Sequence, residues 1–322
     1  METSGKKEFL PPTESKKKSN MPFDKKIKRF VRLSMVGVGR RILSPFVLGM
    51  GRPLAQMDMP IHLLISSKTW HCALLCLYSL EATTGARWPL FIHDDGTVPP
   101  AGWKSVMKRF PEARWISRQE ADELSDQKLS TYPACQRQRR LHNYLMKVTD
   151  TLLFCQNGPF VILDADILFY RRPTEICEWA TKNGDGFLYM TDNKEAYCMP
   201  RLDLYECAGI NAVPLLNAGI CCVPDGAMNF DFCESILGKL EKKAVHPMFF
   251  DQTLLALAAG RISASPLSKA YEISWSFFRK PGAICRHYVG PAKFDLLYME
   301  GPASLLVSRF FGPTANGGHN RI

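Results

Sequence analysis

The sequence predicts an α/β fold, a mostly parallel sheet flanked by helices. Apolar runs of strand length alternate with segments of helical periodicity, the pattern of parallel strands joined by crossover helices. Two of those runs end in acids, at Asp94 and Asp164, and ligands of such sheets bind beyond the carboxyl ends of the strands. A length of 322 residues leaves room for one large domain or two smaller ones with ample core.

The body of the chain opens at Pro60. Residues 61–66, Ile-His-Leu-Leu-Ile-Ser, read as a first buried strand. Leu74, Leu75 and Tyr78 carry helical spacing over residues 70–80. A second strand over 88–93 runs into Asp94-Asp95-Gly96. A helix near 102–110, a strand over 114–116 and an acidic helix near 118–129 follow. Leu141, Leu145, Val148 and Leu152 predict a single helix over 136–154. The run 160–169, Phe-Val-Ile-Leu-Asp-Ala-Asp-Ile-Leu-Phe, is then a strand interrupted by two carboxylates. No internal repeat is visible.

In a strand, successive side chains point to opposite faces, so Asp164 and Asp166 are expected on one face with Ala165 turned away. Buried charges need partners, and neighbouring carboxylates repel. A hard divalent cation, Mg²⁺ or Mn²⁺, fits that need, and such ions keep positions open for substrate phosphates. The chemistry this implies is on a nucleotide diphosphate. Three polar clusters lie downstream in apolar surroundings. Leu215-Leu216-Asn217-Ala218-Gly219-Ile220 sets an amide beside two small residues, where backbone approaches a ligand closely. Phe249-Phe250-Asp251-Gln252-Thr253 opens a helix over 253–257 with an acid near its positive end. Cys285-Arg286-His287-Tyr288-Val289-Gly290, with Lys293 three residues on, joins an imidazole, a flexible backbone position and a cation.

The net charge of +10 belongs to one end of the chain. Residues 1–59 hold 13 Lys/Arg against 5 Asp/Glu, so the remaining 263 residues carry only +2. A nearly neutral body argues against nucleic acid as a partner. Residues 1–24 read as a solvated, disordered tail. Residues 25–48 mix Lys25, Lys26, Lys28, Arg29, Arg32, Arg40 and Arg41 with Ile27, Phe30, Val31, Met35, Val38, Ile42, Phe46 and Val47. No apolar run there reaches membrane-spanning length and no cleavage pattern follows a clean apolar core. Two readings stand: a basic amphipathic helix on an anionic membrane surface, or a helix packed on the domain. Eleven cysteines without a C-x-x-C pair, an odd number in a large chain, indicate reduced thiols and a cytoplasmic setting.

Over about residues 60–294 the chain resembles the retaining glycosyltransferases of family 8 and their relatives on the GT-A fold, a Rossmann-like mixed sheet. The resemblance rests on four motifs in the family's order: Leu163-Asp164-Ala165-Asp166, Asn217-Ala218-Gly219, Asp251-Gln252, and His287-Tyr288-x-Gly290-x-x-Lys293. It implies that Asp164, Asp166 and His287 ligate Mn²⁺ (or Mg²⁺) and that the acid pair binds the ribose and diphosphate of a nucleotide sugar. It implies that Lys293 neutralises the departing diphosphate, with Gly290 before it allowing close approach. Asn217, Ala218 and Gly219 match the strip facing the donor sugar, and Asp251 and Gln252 the pair near the reacting centre. Lys147 matches a lysine on the helix before the acid pair, and Ser66 stands where the first strand meets the nucleobase. Phe294-Asp295 replaces the Pro-Trp that commonly follows the final lysine.

Each residue also has a plainer reading. Asp164 caps a turn, His287 is a core imidazole, Asn217 shapes a turn, Asp251 is a helix N-cap, Lys147 is a surface lysine, and Asp94 and Asp95 are loop acids. The expected organisation is a basic arm over 1–59, a catalytic domain over 60–310 and a tail over 311–322. The expected function is metal-dependent transfer of a sugar from a nucleotide-diphosphate donor, UDP-linked, to a glycan or lipid-linked acceptor with retention, on the cytoplasmic membrane face. A nucleotidyltransferase making the sugar nucleotide is the rival enzyme, but Ser66-Ser67-Lys68-Thr69-Trp70 lacks its glycine-rich phosphate loop. A scaffold of the same fold without turnover is the rival outside enzymology.

Overall fold

The strands at the centre of the sheet are hidden almost completely from solvent. In the computed structural model, which describes residues 55–155, 158–273 and 281–302, the chain runs β1 (Ile61–Ile65), α1 (Trp70–Thr84), β2 (Leu90–Asp94), α2 (Pro100–Arg109) and β3 (Arg114–Ile116). It continues through α3 (Arg118–Lys128), α4 (Pro133–Leu141), α5 (Met146–Phe154), β4 (Phe160–Leu163) and β5 (Ile167–Phe169). Next come α6 (Thr174–Thr181), β6 (Phe187–Thr191), α7 (Arg201–Ala208) and β7 (Leu216–Val223). The last elements are α8 (Phe230–Leu240), α9 (Phe250–Ala259), β8 (Ala264–Pro266), β9 (Tyr271–Ile273) and β10 (Cys285–His287).

Seven strands form the central sheet in the order β8-β6-β7-β4-β1-β2-β3, and β9-β10-β5 form a second, three-stranded sheet. All neighbours in the large sheet are parallel except those of β7, which runs against both β4 and β6. Every residue of β4 and β7 is buried, as expected of strands covered on both faces. One core cluster packs α1 and α6 on the sheet beside the small sheet, and a second packs α5, α7, α8 and α9. α9 is buried along its whole length, which accounts for its uninterrupted Leu and Ala run.

Two expectations are corrected. The helix anticipated over 136–154 is two helices, because His142 adopts an extended backbone (φ −131°, ψ 98°) after α4 and a 3-10 turn over Asn143–Leu145 precedes α5. Leu141 consequently leaves the apolar stripe and is 65 % exposed, while Leu145 and Val148 are buried. A buried ion pair holds the corner: Arg139 donates from Nε to Asp150 Oδ1 at 2.6 Å and from Nη2 to Asp150 Oδ2 at 3.0 Å. The carboxylate of Glu234 on α8 accepts from the Ala134 and Cys135 backbone N–H groups, both at 2.9 Å, where the first turn of α4 has open donors. Removing one partner of such a pair costs about 3–5 kcal/mol, so the break in the helix is well anchored. The run 160–169 is likewise two strands rather than one, broken at Asp164-Ala165-Asp166. None of the eleven cysteines is paired with another. The basic segment 25–48 and the tail 311–322 lie outside the described residues, and among the described residues no helix is long and apolar enough to cross a membrane.

Under the sheet, His62 of β1 and His93 of β2 share one hydrogen bond, Nδ1 to Nε2 at 3.0 Å, and His62 stacks on Phe91 at 4.6 Å. The outer nitrogens, His62 Nε2 and His93 Nδ1, are buried without partners. Burial pulls His62 down to about 3 and His93 well below its ordinary value, so both rings fold neutral. The unfolded chain takes up protons on both below about pH 6.5 while the folded chain does not, so stability present above that pH is lost as pH falls. Between pH 7 and 5 the loss is about 2 kcal/mol for each ring. Urea titrations across that range are expected to show a His62→Leu/His93→Leu variant with a shallower decline than the parent; identical declines would refute the neutral pair.

Candidate active site

The two acids sit in a turn between sheets, not along one strand. β4 makes its last rung through Asp164, whose N–H donates to Gly219 O at 2.8 Å, and the chain then leaves the large sheet. It joins the small sheet at once: the Tyr288 N–H donates to Asp166 O at 2.9 Å, and β10 pairs antiparallel with β5. Alternation along a strand is therefore not what brings Asp164 and Asp166 together; the crossing between two sheets is. Ala165 between them is buried.

The register of β10 opposes His287 to Ile167, next to Asp166. His287 Nε2 lies 3.1 Å from Asp166 Oδ1 and 3.6 Å from Asp164 Oδ2, and one ligand atom from each of the three residues lies within 4.8 Å of the others. Two carboxylates and an imidazole make an oxygen-rich set suited to Mn²⁺ or Mg²⁺. Its strand is tied down from behind. Arg286, fully buried, donates to Glu300 Oε1 at 2.7 Å, and the Tyr170 and Tyr288 hydroxyls both donate to Glu300 Oε2.

Two lysines balance the acids. Lys293 Nζ reaches Asp166 Oδ2 at 2.6 Å, from a helical turn that follows Gly290, whose φ of +55° favours glycine. Lys147 of α5 is no surface lysine. Its Nζ lies 2.7 Å from Asp164 Oδ1 and 3.5 Å from Asp251 Oδ2, with the side chain only 10 % exposed. Burial opposes a charged ammonium at Lys147, but Asp164 and Asp251 hold it above the ordinary lysine range. Burial likewise raises Asp166, and His287 and Lys293 outweigh it, so this carboxyl ends below the usual range. Asp251 ends raised by burial, because Lys147 stands closer to Asp164 than to it.

β7 brings the amide motif here because it is the reversed strand: its start lies against the carboxyl ends of β4 and β6, with Ile220 opposite Leu163 and Leu216 opposite Thr191. Asn217 Nδ2 donates to Asp192 Oδ2 at 2.9 Å, while its Oδ1 accepts from the Gly219 N–H at 2.8 Å and lies 3.1 Å from His287 Nδ1. Ala218 O is 3.5 Å from Lys147 Nζ. Asp251 falls in the first turn of α9, past the cap position. Gln252 beside it is engaged at both ends, accepting from Ala218 N at 3.1 Å and donating to Ala196 O at 2.9 Å.

Two predicted residues stand in their own loops. The Ser66 hydroxyl, at the end of β1, pairs with Thr69 Oγ1 at 3.1 Å. Asp94 Oδ1 closes its own turn, accepting from Gly96 N at 2.8 Å and Val98 N at 3.2 Å. Asp192 escaped the reading of the sequence. It follows β6, so it carries the same signal as Asp94 and Asp164, an acid just past a strand's carboxyl end.

No protein-family profile matches the chain, and no curated protein matches it. Solved structures do share its fold. The apo structure of the bifunctional glycosyltransferase WbbM superposes with a TM-score of 0.51 at 11 % identity, over 81 % of this chain and 53 % of that one. The chain thus spans about half the length of WbbM. The galactosyltransferase LgtC, in complex with donor and acceptor sugar analogues, gives 0.49 at 12 % identity over 78 % of this chain and 95 % of its own. Apo mouse xyloside xylosyltransferase 1 gives 0.48 at 11 % identity over 72 % and 97 %. The fold is therefore the GT-A glycosyltransferase fold.

The charge balance has a direct test. A Lys147→Met variant strands the buried Asp251 and lowers the stability of the metal-free protein by roughly 3 kcal/mol. Adding Asp251→Asn to that variant is expected to restore part of it in urea denaturation. An unchanged midpoint for Lys147→Met would rule out the bridging role.

Proposed function

We propose that this protein is a metal-dependent glycosyltransferase, moving a sugar from a nucleotide-diphosphate donor, UDP-linked, onto a glycan or lipid-linked acceptor with retention of configuration. The observation that carries the reading is the convergence of Asp164, Asp166 and His287 with Lys293 at the crossing between the two sheets. Asp164, Asp166 and His287 would hold the divalent ion. Mn²⁺ or Mg²⁺ bound there supplies Lewis-acid stabilisation of charge on the diphosphate.

The chain's own groups do the rest. Glycosyl transfer builds negative charge on the leaving diphosphate and positive charge at the anomeric carbon. Lys293 supplies a fixed ammonium for the former, the preorganised electrostatics that dominates catalysis. Gly290 lets the backbone approach it. Asp251, kept beside Lys147, faces the positive charge on the sugar, with Gln252, Asn217, Ala218 and Gly219 lining that side. Ser66 and Asp94, at the ends of β1 and β2, serve the nucleoside. In a retaining, same-face transfer the departing phosphate oxygen accepts the acceptor's proton, and no strong base is required of the protein. Residues 60–310 form the catalytic domain, and residues 25–48 of the basic arm set it on an anionic cytoplasmic membrane face.

Donor hydrolysis tests the reading without knowledge of the acceptor. Screening UDP- and GDP-sugars should find a donor, UDP-linked, whose release of nucleotide requires Mn²⁺ or Mg²⁺ and falls at least about a hundredfold in Asp166→Ala. Equal release by both proteins, or none by the parent with any donor, would reject it.

A further inference from the structure

The amide of Asn217 stands behind the imidazole proposed as a metal ligand, and its orientation follows from its neighbours. The Gly219 N–H points at Oδ1 from 2.8 Å, and the Asp192 carboxylate faces Nδ2 from 2.9 Å. Turning the amide over would set NH₂ against N–H and carbonyl against carboxylate, losing both bonds. The atom facing His287 Nδ1 at 3.1 Å is therefore the oxygen, which only accepts. Nδ1 must carry a proton to make that bond. In the neutral ring Nε2 is then bare, and Nε2 is the nitrogen that faces Asp166 and Asp164.

We infer that Asp192 and Asn217 are positioning residues that lock His287 in the Nδ1–H tautomer, leaving Nε2 free to ligate the metal. Ligating histidines commonly need such a partner on their second nitrogen, and losing it costs 10–100-fold in metal affinity. Asp192 acts one step back: its carboxylate holds the amide so that oxygen, not nitrogen, meets the ring. Asp192 is itself engaged, since Oδ1 accepts from Asn193 N at 2.7 Å.

Gly219 completes the arrangement. A Cβ at this position would lie 2.6 Å from His287 Nδ1 and 2.7 Å from Asn217 Oδ1, inside the hydrogen bond itself. The sequence Asn217-Ala218-Gly219 thus works on the ring as one unit, with an amide to orient it and a gap to admit it. The amide keeps a second N–H, so a contact with the donor sugar is not given up.

This inference rests on the metal role proposed for His287, but its readouts are separate from transfer activity. In ¹⁵N-histidine-labelled, metal-free protein above pH 8, long-range ¹H–¹⁵N spectra are expected to show His287 protonated at Nδ1; a ring bare at Nδ1 would overturn the lock. Calorimetric titration with Mn²⁺ alone should find Asn217→Leu 10–100-fold weaker than the parent. The exchanged pair Asn217→Asp/Asp192→Asn keeps every acceptor and donor facing His287 and Gly219, and should bind within about threefold of the parent. Parent-like affinity in Asn217→Leu, or an exchanged pair as weak as Asn217→Leu, would also overturn it. Loss of transfer with the tautomer intact would count against the glycosyltransferase reading instead.

Discussion

Mutual repulsion among Asp164, Asp166 and Asp251 is the constraint on which this corner of the molecule depends. Asp166 and Asp251 are buried and Asp164 is partly so, and carboxylates in that setting cannot all ionise without nearby cations. The chain answers with Lys147 between Asp164 and Asp251, Lys293 on Asp166, and the His287 ring across Asp164 and Asp166. The two lysines come from distant parts of the chain, so the folded sheet, not any single motif, neutralises the site. The same arrangement suits a ligand that arrives with its own charges, a divalent ion and a diphosphate, because both signs are already fixed in position.

Topology explains why these groups meet. Parallel strands deliver their carboxyl ends to one edge of the sheet, which accounts for Asp94, Asp164 and Asp192. The reversed β7 contributes its beginning to that edge, so an amide and a glycine stand where parallel strands offer loops. β5 and β10 then carry the chain into a second sheet whose first rung is formed by Asp166 itself. Each junction leaves a side chain at the edge of regular structure, where hydrogen-bonding groups are not consumed by the ladder.

Much of this was legible in the residues alone. The strands over β1, β2 and β3 and the helices α1, α2 and α3 follow from periodicity, since each is a short run with one consistent phase. The helix break at His142 was hidden, because leucines on either side keep a spacing that happens to continue across it. The turn at Asp164-Ala165-Asp166 was hidden for a related reason: β-branched and aromatic residues flank it on both sides, so one strand and two strands look alike. Lys147 was marked by the resemblance alone, because a lysine on a helix is ordinarily solvated, and its burial depends on Asp251 more than a hundred residues away. The grouping of Asp164, Asp166 and His287 follows from the resemblance, whereas the bond from Asn217 to His287 depends on strand register that spacing does not encode.

The most direct measurement of whether this corner holds a metal and a nucleotide diphosphate together is calorimetric titration of UDP into the protein with and without Mn²⁺. Binding should be detected with the ion, lost on adding EDTA, and lost with the ion present in Asp164→Asn/Asp166→Asn. UDP binding of equal strength with and without the ion, or unchanged in that double variant, would contradict the assignment of the acids.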